Sequence, residues 1–286
     1  MSALVNATLS AVSTLYGAVA RQRRGWYTRV PDRQRRLQRP VISVGNLSVG
    51  GSGKTPVVAH LARVLLAAGE RPAILSRGYA RRVQDAGVTV VSDGEHVLSD
   101  LDHAGDEPLM LARTLPGVPV LVASSRYLAG RLAESQLGAT VHLLDDGFQH
   151  MQLARDVNLL IVDPADLSDR VLPAGRLREP LSAAQSADAV LATTDAATAI
   201  DTIRERLPAR HLFAVRRVLQ PVHTVSSGTV LEPATVGPIF AAAGIARPRR
   251  FLDDLAAAGW KIADFAFLEN GKPSSTLTGI LKDSGY

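Results

Sequence analysis

The chain of 286 residues lacks several features that would place it in a familiar class. It contains no cysteine, which excludes a disulfide scaffold, a thiolate metal site and a cysteine nucleophile, and which is typical of a reducing compartment. Its purely apolar runs are only a few residues long, far short of the ~20 residues that a membrane-spanning helix needs. The arginines follow the apolar N-terminal stretch, whereas a cleaved secretory signal has its positive charges first. We therefore expect the protein to stay in the cytoplasm and to cross no bilayer.

Acidic residues are almost missing from the first 40 positions. That segment holds eight arginines and the single Asp32, a net charge of +7, whereas the whole chain carries +5. The other 246 residues therefore carry a net charge of −2. A short basic cluster without a recognition motif beside it argues against nucleic acid as a partner.

The uncharged residues 1–20 show the periodicity of a helix, and arginines with Trp26 and Tyr27 follow them. This order suits a helix that lies in a membrane interface, with aromatic rings at headgroup depth and arginines on phosphates. A helix packed on its own domain stays open as the alternative, because the second face is Ser, Thr, Asn and Ala rather than strongly charged. The apolar stripe is formed by Val5, Leu9, Val12, Tyr16 and Val19.

A glycine-rich segment, GGSGKT, lies between a β-branched strand pattern and a helical pattern within residues 40–69. Glycines in this context let backbone N–H groups close around a polyphosphate, while the lysine reaches the β- and γ-phosphates and the following hydroxyl binds Mg²⁺. Ser48 stands where the strict GxxxxGK[ST] pattern has glycine. The predicted nucleotide-binding residues are Ser48, Val49, Gly50, Gly51, Ser52, Gly53, Lys54 and Thr55, with Lys54 also acting in catalysis.

The segment VHLLDDGFQH, residues 141–150, predicts a buried strand that ends in two carboxylates. In phosphoryl-transfer enzymes a carboxylate at such a strand end holds the metal that bridges the phosphates. We therefore predict Asp145 and Asp146, together with Thr55, as metal-side residues. A plain turn after a strand is the alternative for the DDG sequence.

Further apolar strand patterns alternate with helical ones, notably at residues 107–115 and 126–136. Strands that alternate with helices predict an α/β fold, with a mostly parallel sheet covered on both faces. Ligands of such sheets bind at the carboxyl ends of the strands. The glycine-rich loop and the DDG sequence both follow strands, so we expect them at that edge.

Five ordered segments resemble the tetraacyldisaccharide 4′-kinase (lipid A 4′-kinase) family. They are VGNLSVGGSGKTP, SRGY, GDEP, LLDDGFQH and LPAGRLREP, within a similarity that covers roughly residues 1–266. The resemblance implies a P-loop NTPase-like fold and ATP with Mg²⁺ as cofactors. It implies transfer of a phosphoryl group to the 4′-hydroxyl of a tetraacyldisaccharide 1-phosphate, by a peripheral enzyme at the cytoplasmic face of the inner membrane. This lipid substrate favours a membrane contact through residues 1–29.

The resemblance also assigns roles to individual residues. Asp106 would orient or deprotonate the acceptor hydroxyl, although an aspartate before proline is also a good helix start. Arg126 would lie near the reacting phosphates, with a surface arginine as the ordinary alternative. Arg178 and Glu179 would lie beside the nucleotide, with Glu179 as a further metal-side carboxylate; their structural alternative is an exposed ion pair on a turn. The predicted substrate-binding residues are Arg77, Tyr79, Gln149 and His150.

The C-terminal tail departs from the family pattern. Where an FxDHH segment is expected, the chain reads LENGKPSS from residue 268, and no histidine follows His223. We expect three regions: residues 1–29, a kinase domain at 30–215, and a smaller α/β domain at 216–286 that is incomplete, with an atypical tail from about residue 267. Two alternatives stay open, a P-loop kinase or NTPase acting on a soluble substrate and a catalytically weakened nucleotide-binding homologue. The oligomeric state is left open.

Overall fold

The computed structural model describes residues 3–78, 81–83, 87–207, 209–245 and 248–267. The chain divides into two compact units, residues 1–215 and 216–286. None of the helices in the described ranges combines the length and apolarity that crossing a bilayer requires.

Unit 1 is built on an eight-stranded sheet, which confirms the predicted α/β class. Its strands are β1 (Val41–Asn46), β2 (Pro72–Ser76), β3 (Thr89–Ser92), β4 (Val120–Val122), β5 (Val141–Asp145), β6 (Val157–Val162), β7 (Ala189–Ala192) and β8 (Leu212–Ala214). They lie in the order β3-β4-β2-β5-β1-β6-β7-β8. All neighbouring pairs are parallel except β3 with β4, which is antiparallel.

Six helices accompany this sheet. They are α1 (Ala3–Thr28), α2 (Lys54–Ala67), α3 (Leu101–Ala104), α4 (Asp106–Thr114), α5 (Arg126–Gln136) and α6 (Ala197–Arg206). Buried apolar residues of α2 and α4 pack with those of the central strands, while small residues of α5 pack with another set of strand residues. Apolar strands covered in this way lose water on both faces, which is what stabilises a parallel sheet.

The edge that carries the site is set by β1 and β5, which are parallel neighbours near the middle of the sheet. Because parallel strands end at the same edge, the loop after β1 and the loop after β5 meet there. Gly45 permits the meeting, since a Cβ at this position would lie 2.5 Å from Cβ of Phe148. A side chain at residue 45 would therefore push the DDGFQH loop off β1.

Helix α1 is longer than the sequence predicts, because it continues through the arginines to Thr28. Its packed face is narrow and consists of Ser13, Gly17 and Arg24, which are buried. The apolar stripe is left largely outside: Val5, Val12 and Val19 are exposed, at 45%, 46% and 55% of their full surface. The helix thus contacts its own unit through small and basic residues rather than through its apolar ones.

Unit 2 contains a hairpin of β9 (Val222–His223) and β10 (Val230–Leu231), then β11 (Ile239–Ala243), α7 (Pro248–Ala257) and β12 (Ile262–Phe267). Strands β11 and β12 are parallel, and Leu255 and Trp260 are buried with Ala241 in a small core. Helix α7 is joined to the N-terminal part of the unit by a two-pronged ion pair between Arg217 and Asp254.

Candidate active site

The loop between β1 and α2 has the backbone of a phosphate cradle. Gly50 and Gly53 adopt positive φ angles of 99° and 82°, a conformation that glycine reaches without steric cost. Helix α2 begins at Lys54, directly after Gly53. Its first N–H groups and its dipole therefore face the loop, which is the arrangement that binds phosphate.

Lys54 is the centre of a polar network inside this loop. Its Nζ donates to Oδ1 of Asn46 at 3.1 Å and lies 3.6 Å from Oδ1 of Asp146. Arg178 grips the same carboxylate with two hydrogen bonds of 2.8 Å and also donates to Oδ1 of Asn46. The structure thus brings Lys54, Asp146 and Arg178 together, and it adds Asn46, for which the sequence predicted no role.

Asp146 adopts the left-handed backbone conformation, with φ of 54°. A non-glycine residue in this region is uncommon, and such strain gathers at functional sites. The Arg178 guanidinium, assisted by the Lys54 ammonium, outweighs burial and lowers the pKa of Asp146. The carboxylate is therefore ionised.

The pKa of Asp145, the preceding residue, is shifted in the opposite direction. It is 3% exposed, and its Oδ1 atom is buried without a hydrogen-bond partner. Burial, with the negative charges of Glu107 and Asp146, raises its pKa to about 7. A divalent cation would relieve both the missing partner and the crowded charge, so Asp145, Asp146 and the buried Thr55 suit Mg²⁺. In the described part of the chain no group of three or more His, Asp or Glu residues could hold a metal by itself, and Mg²⁺ commonly needs only one or two carboxylates beside substrate phosphates.

Helix α4 presents two acidic residues to this site. Gly105 is its N-cap, so the helix begins at Asp106 rather than after it, and Asp106 Oδ1 accepts from the N–H of Glu107 at 2.9 Å. Desolvation raises the pKa of Glu107, and the negative charges of Asp106 and Asp146 raise it further. Sequence reasoning missed Glu107, although its position beside Asp106 in GDEP could have suggested it.

Basic side chains gather beyond the carboxylates. Arg126 is 5% exposed, so the alternative of a surface arginine is wrong, and burial together with Arg77 lowers its pKa to about 10. Burial, then the charges of Arg126, Arg155, Arg23 and Arg77, lowers the pKa of His150 to about 3. The imidazole is therefore neutral, and the cluster around it favours an anion.

The side chain of Gln149, in the loop after β5, forms a hydrogen bond through one end of its amide only. Its amide Nε2 donates to the backbone oxygen of Asn46 at 3.0 Å, whereas its Oε1 is buried without a partner. Arg155 donates to the backbone oxygens of Gly147 and Phe148 and so holds the same loop from behind. Gln149 thus ties the DDGFQH loop to β1.

Glu179 differs from the prediction. Its two carboxylate oxygens each accept a 2.7 Å hydrogen bond from Arg24 of α1, and both side chains are buried. The alternative of an exposed pair between Arg178 and Glu179 is wrong, because each residue has another partner. Both oxygens of the Glu179 carboxylate are therefore paired with Arg24.

Several predicted features lie outside the described residues. They are Tyr79, the last residue of the SRGY segment, and the tail from residue 268 that departs from the FxDHH pattern. Arg77 is described and exposed. Ser48 is buried and accepts from the amide of Asn46, and the N–H of Val49 donates to the backbone oxygen of Arg176.

The phosphate-binding loop follows a central strand of a mostly parallel sheet and carries a lysine, and two carboxylates lie at the end of the neighbouring strand in the sheet. This combination defines a P-loop nucleotide-binding enzyme. Residues 5–274 match the family model described as Tetraacyldisaccharide-1-P 4'-kinase. The chain belongs to this family of kinases.

Individual relatives agree. The tetraacyldisaccharide 4'-kinase of Pelobacter propionicus is 44% identical over 251 residues, which are 86% of this chain and 69% of that protein. The enzyme of the same name from Geobacter sulfurreducens is 40% identical over 270 residues, covering 91% and 73%. The crystal structure of LpxK from Aquifex aeolicus, in complex with ATP, superimposes with a TM-score of 0.80 at 34% identity, covering 95% of this chain and 86% of that one.

Proposed function

We propose that this chain transfers the γ-phosphoryl group of ATP to the 4′-hydroxyl of a tetraacyldisaccharide 1-phosphate. The observation that carries the proposal is the network of Lys54, Asp146 and Arg178 at the joint edge of β1 and β5. It places two cations and an ionised carboxylate beside the loop that holds phosphates. Family membership supplies the acceptor, because the relatives are named for the tetraacyldisaccharide.

Phosphoryl transfer needs positioning and charge neutralisation more than covalent chemistry. Lys54 and the N–H groups at the start of α2 would hold the β- and γ-phosphates, and Arg126 would neutralise charge on the transferred group. Asp106, at the N-terminus of α4, would orient the acceptor hydroxyl and take its proton. Arg77, Gln149 and the neutral His150 would line the acceptor side.

Mg²⁺ fits the residues at the end of β5. Thr55 and Asp145 would hold it with Asp146, whose side chain is paired with Arg178 but still 39% exposed. Glu179 would not take part, since its carboxylate is buried in the pair with Arg24. Held by these residues, Mg²⁺ would supply positive charge against the phosphates of ATP. Asp145 would then be ionised despite its burial, because the cation replaces the missing partner of Oδ1.

The exposed stripe of α1 supports a contact with the cytoplasmic face of the inner membrane. Val12 and Val19 of the stripe are exposed, and Trp26 is half exposed beside the arginines. Apolar burial in the acyl boundary and arginine contact with anionic headgroups would both hold such a helix at the surface. A lipid acceptor is presented at that surface, so this contact brings the site to its substrate.

The direct test is a phosphorylation assay with ATP, Mg²⁺ and the tetraacyldisaccharide 1-phosphate in mixed micelles. We expect ATP-dependent formation of the 4′-phosphate, and none when the acceptor is omitted. A deacylated disaccharide 1-phosphate is the matched second acceptor. Equal turnover of both acceptors would favour a kinase for soluble substrates, and ATP binding without any transfer would favour an idle nucleotide-binding homologue.

The membrane contact predicts a loss of binding when the stripe is made acidic. The double variant Val12→Glu, Val19→Glu should float with vesicles of anionic phospholipid at least several-fold less than the unchanged protein. The loss follows because each carboxylate would have to enter the apolar boundary. Val64→Glu is the control, since Val64 is equally exposed on α2. Unchanged flotation of the double variant would show that the apolar stripe does not contact the membrane.

A further inference from the structure

Helix α1 is anchored to one segment of the chain, residues 171–180, which contains LPAGRLREP. The hydroxyl of Ser13 donates to the backbone oxygen of Val171 at 2.9 Å and accepts from the N–H of Ala174 at the same distance. One turn further along the helix, Gly17 lies against Pro180. We call residues 171–180 the bridging segment.

Arg24 completes this contact with the strongest bonds in it. Its Nε and one terminal nitrogen grip the two oxygens of Glu179, at 2.7 Å each. The same nitrogen donates to the backbone oxygen of Phe148, and the guanidinium lies over the Phe148 ring at 4.4 Å. One buried side chain of α1 therefore holds both the bridging segment and the DDGFQH loop.

The bridging segment in turn holds the phosphate loop. The N–H of Arg178 donates to the backbone oxygen of Leu47, and the N–H of Val49 donates to the backbone oxygen of Arg176. From this strand-like pairing the Arg178 side chain reaches Asp146 and Asn46. Glu179 follows Arg178 directly, so the bond that fixes Glu179 also fixes the backbone from which Arg178 extends.

We propose that Arg24 is a positioning residue of the phosphate site, acting through Glu179 and the Phe148 carbonyl on Arg178 and Asp146. The N-terminal helix would then be part of the nucleotide site as well as a surface contact. This role deepens the proposed function, and it depends on that function only for the measurements of kcat and KM. Binding of an ATP analogue tests it even if the lipid is not the acceptor.

A purely structural ion pair can be separated from a positioning one by replacing both partners. Removing one member of a buried pair leaves an uncompensated charge and destabilises the fold, whereas replacing both by apolar residues of similar volume is often neutral. The double variant Arg24→Met, Glu179→Leu should therefore be as stable as the unchanged protein while lacking the two hydrogen bonds between these residues. Arg24→Lys keeps the charge and loses the two-pronged geometry.

The experiment compares these variants in the full chain. For each we would measure the thermal unfolding midpoint, the dissociation constant of a fluorescent ATP analogue with Mg²⁺, and kcat with KM for ATP. For Arg24→Lys and for the apolar double variant we expect either the dissociation constant of the analogue to rise about 10-fold or kcat to fall about 10-fold. A change of this size is typical when a residue that supports a binding site from outside is lost. The double variant should unfold near the midpoint of the unchanged protein.

Arg204→Lys is the matched control, because Arg204 forms an exposed ion pair with Asp201 on α6. It should leave all three measurements unchanged. A double variant with normal stability, normal analogue binding and normal kcat would overturn the proposal, since it would show that the pair serves only the fold. If the unchanged chain fails to phosphorylate the lipid, the analogue affinities still decide the role of Arg24.

Discussion

Replacing Lys54 by methionine should lower kcat for phosphoryl transfer by about 10²–10³, the usual loss when one preorganised charge in an active site is removed. The Lys54 side chain is 15% exposed, and its ammonium donates to Asn46 and lies 3.6 Å from Asp146. It is thus fixed in the loop before ATP arrives, and little reorganisation is needed during the reaction. Methionine keeps an unbranched side chain, one atom shorter, and removes the charge together with the hydrogen bond to Asn46. The measurement is the micelle assay with the tetraacyldisaccharide 1-phosphate.

Lys261→Met is the control for this prediction, because Lys261 is exposed in unit 2 and has no place in the proposed site. Its kcat should match that of the unchanged chain. The unfolding midpoint of Lys54→Met should stay close to normal, since Arg178 still pairs with Asp146. A variant with kcat within threefold of normal would mean that Lys54 does not face the transferred phosphate.

The sequence predicts the parts of the site that lie within one strand-loop-helix unit. GGSGKT and the DDG sequence each follow a buried strand, and parallel strands bring their ends to one edge, so Lys54 and Asp146 could be placed together in advance. Helix α5 is predicted at residues 126–136 and is found there. Local periodicity and turn chemistry suffice in these places, because neighbouring residues supply the contacts that matter.

Partners that are distant in the chain could not be predicted in this way. Arg24 and Glu179 are 155 residues apart, and nothing in either local pattern indicates the other. The same holds for Asn46, which looks like an ordinary strand residue until Arg178 and Lys54 are seen to share its oxygen. The continuation of α1 to Thr28 could not be predicted either, because a charged run after an apolar one resembles a helix boundary. Within that run, Arg24 is buried and pairs with the distant Glu179.

The exposure of the α1 stripe also could not be predicted from the sequence. Periodicity alone says that Val12 and Val19 share a face, and it cannot say whether protein or solvent covers that face. The packed face proved to be Ser13, Gly17 and Arg24, residues that no hydropathy pattern would select. A helix can dock on its domain through small residues and one buried ion pair while its apolar side stays free.

Replacing Asp106 by asparagine should reduce kcat by about 10²–10⁴, the contribution of a general base to proton transfer. Asparagine retains an oxygen that can accept from the N–H of Glu107, as Asp106 does at 2.9 Å, so the start of α4 should be preserved. Only the ability to take the proton of the acceptor hydroxyl is lost. KM for ATP should therefore change little while kcat falls, and single-turnover measurements should show that the chemical step is slowed.

Glu107→Gln is the matched comparison, because Glu107 is the neighbouring carboxyl and interacts with the charges of Lys54, Asp106 and Asp146. If Asp106 is the base, Glu107→Gln should alter kcat by less than Asp106→Asn and should act mainly on ATP binding, through the charge it removes beside Lys54. The opposite order, with Glu107→Gln the more damaging to kcat, would transfer the role of base to Glu107. Asp106 would then serve the helix start alone, which its hydrogen bond to the Glu107 N–H already allows.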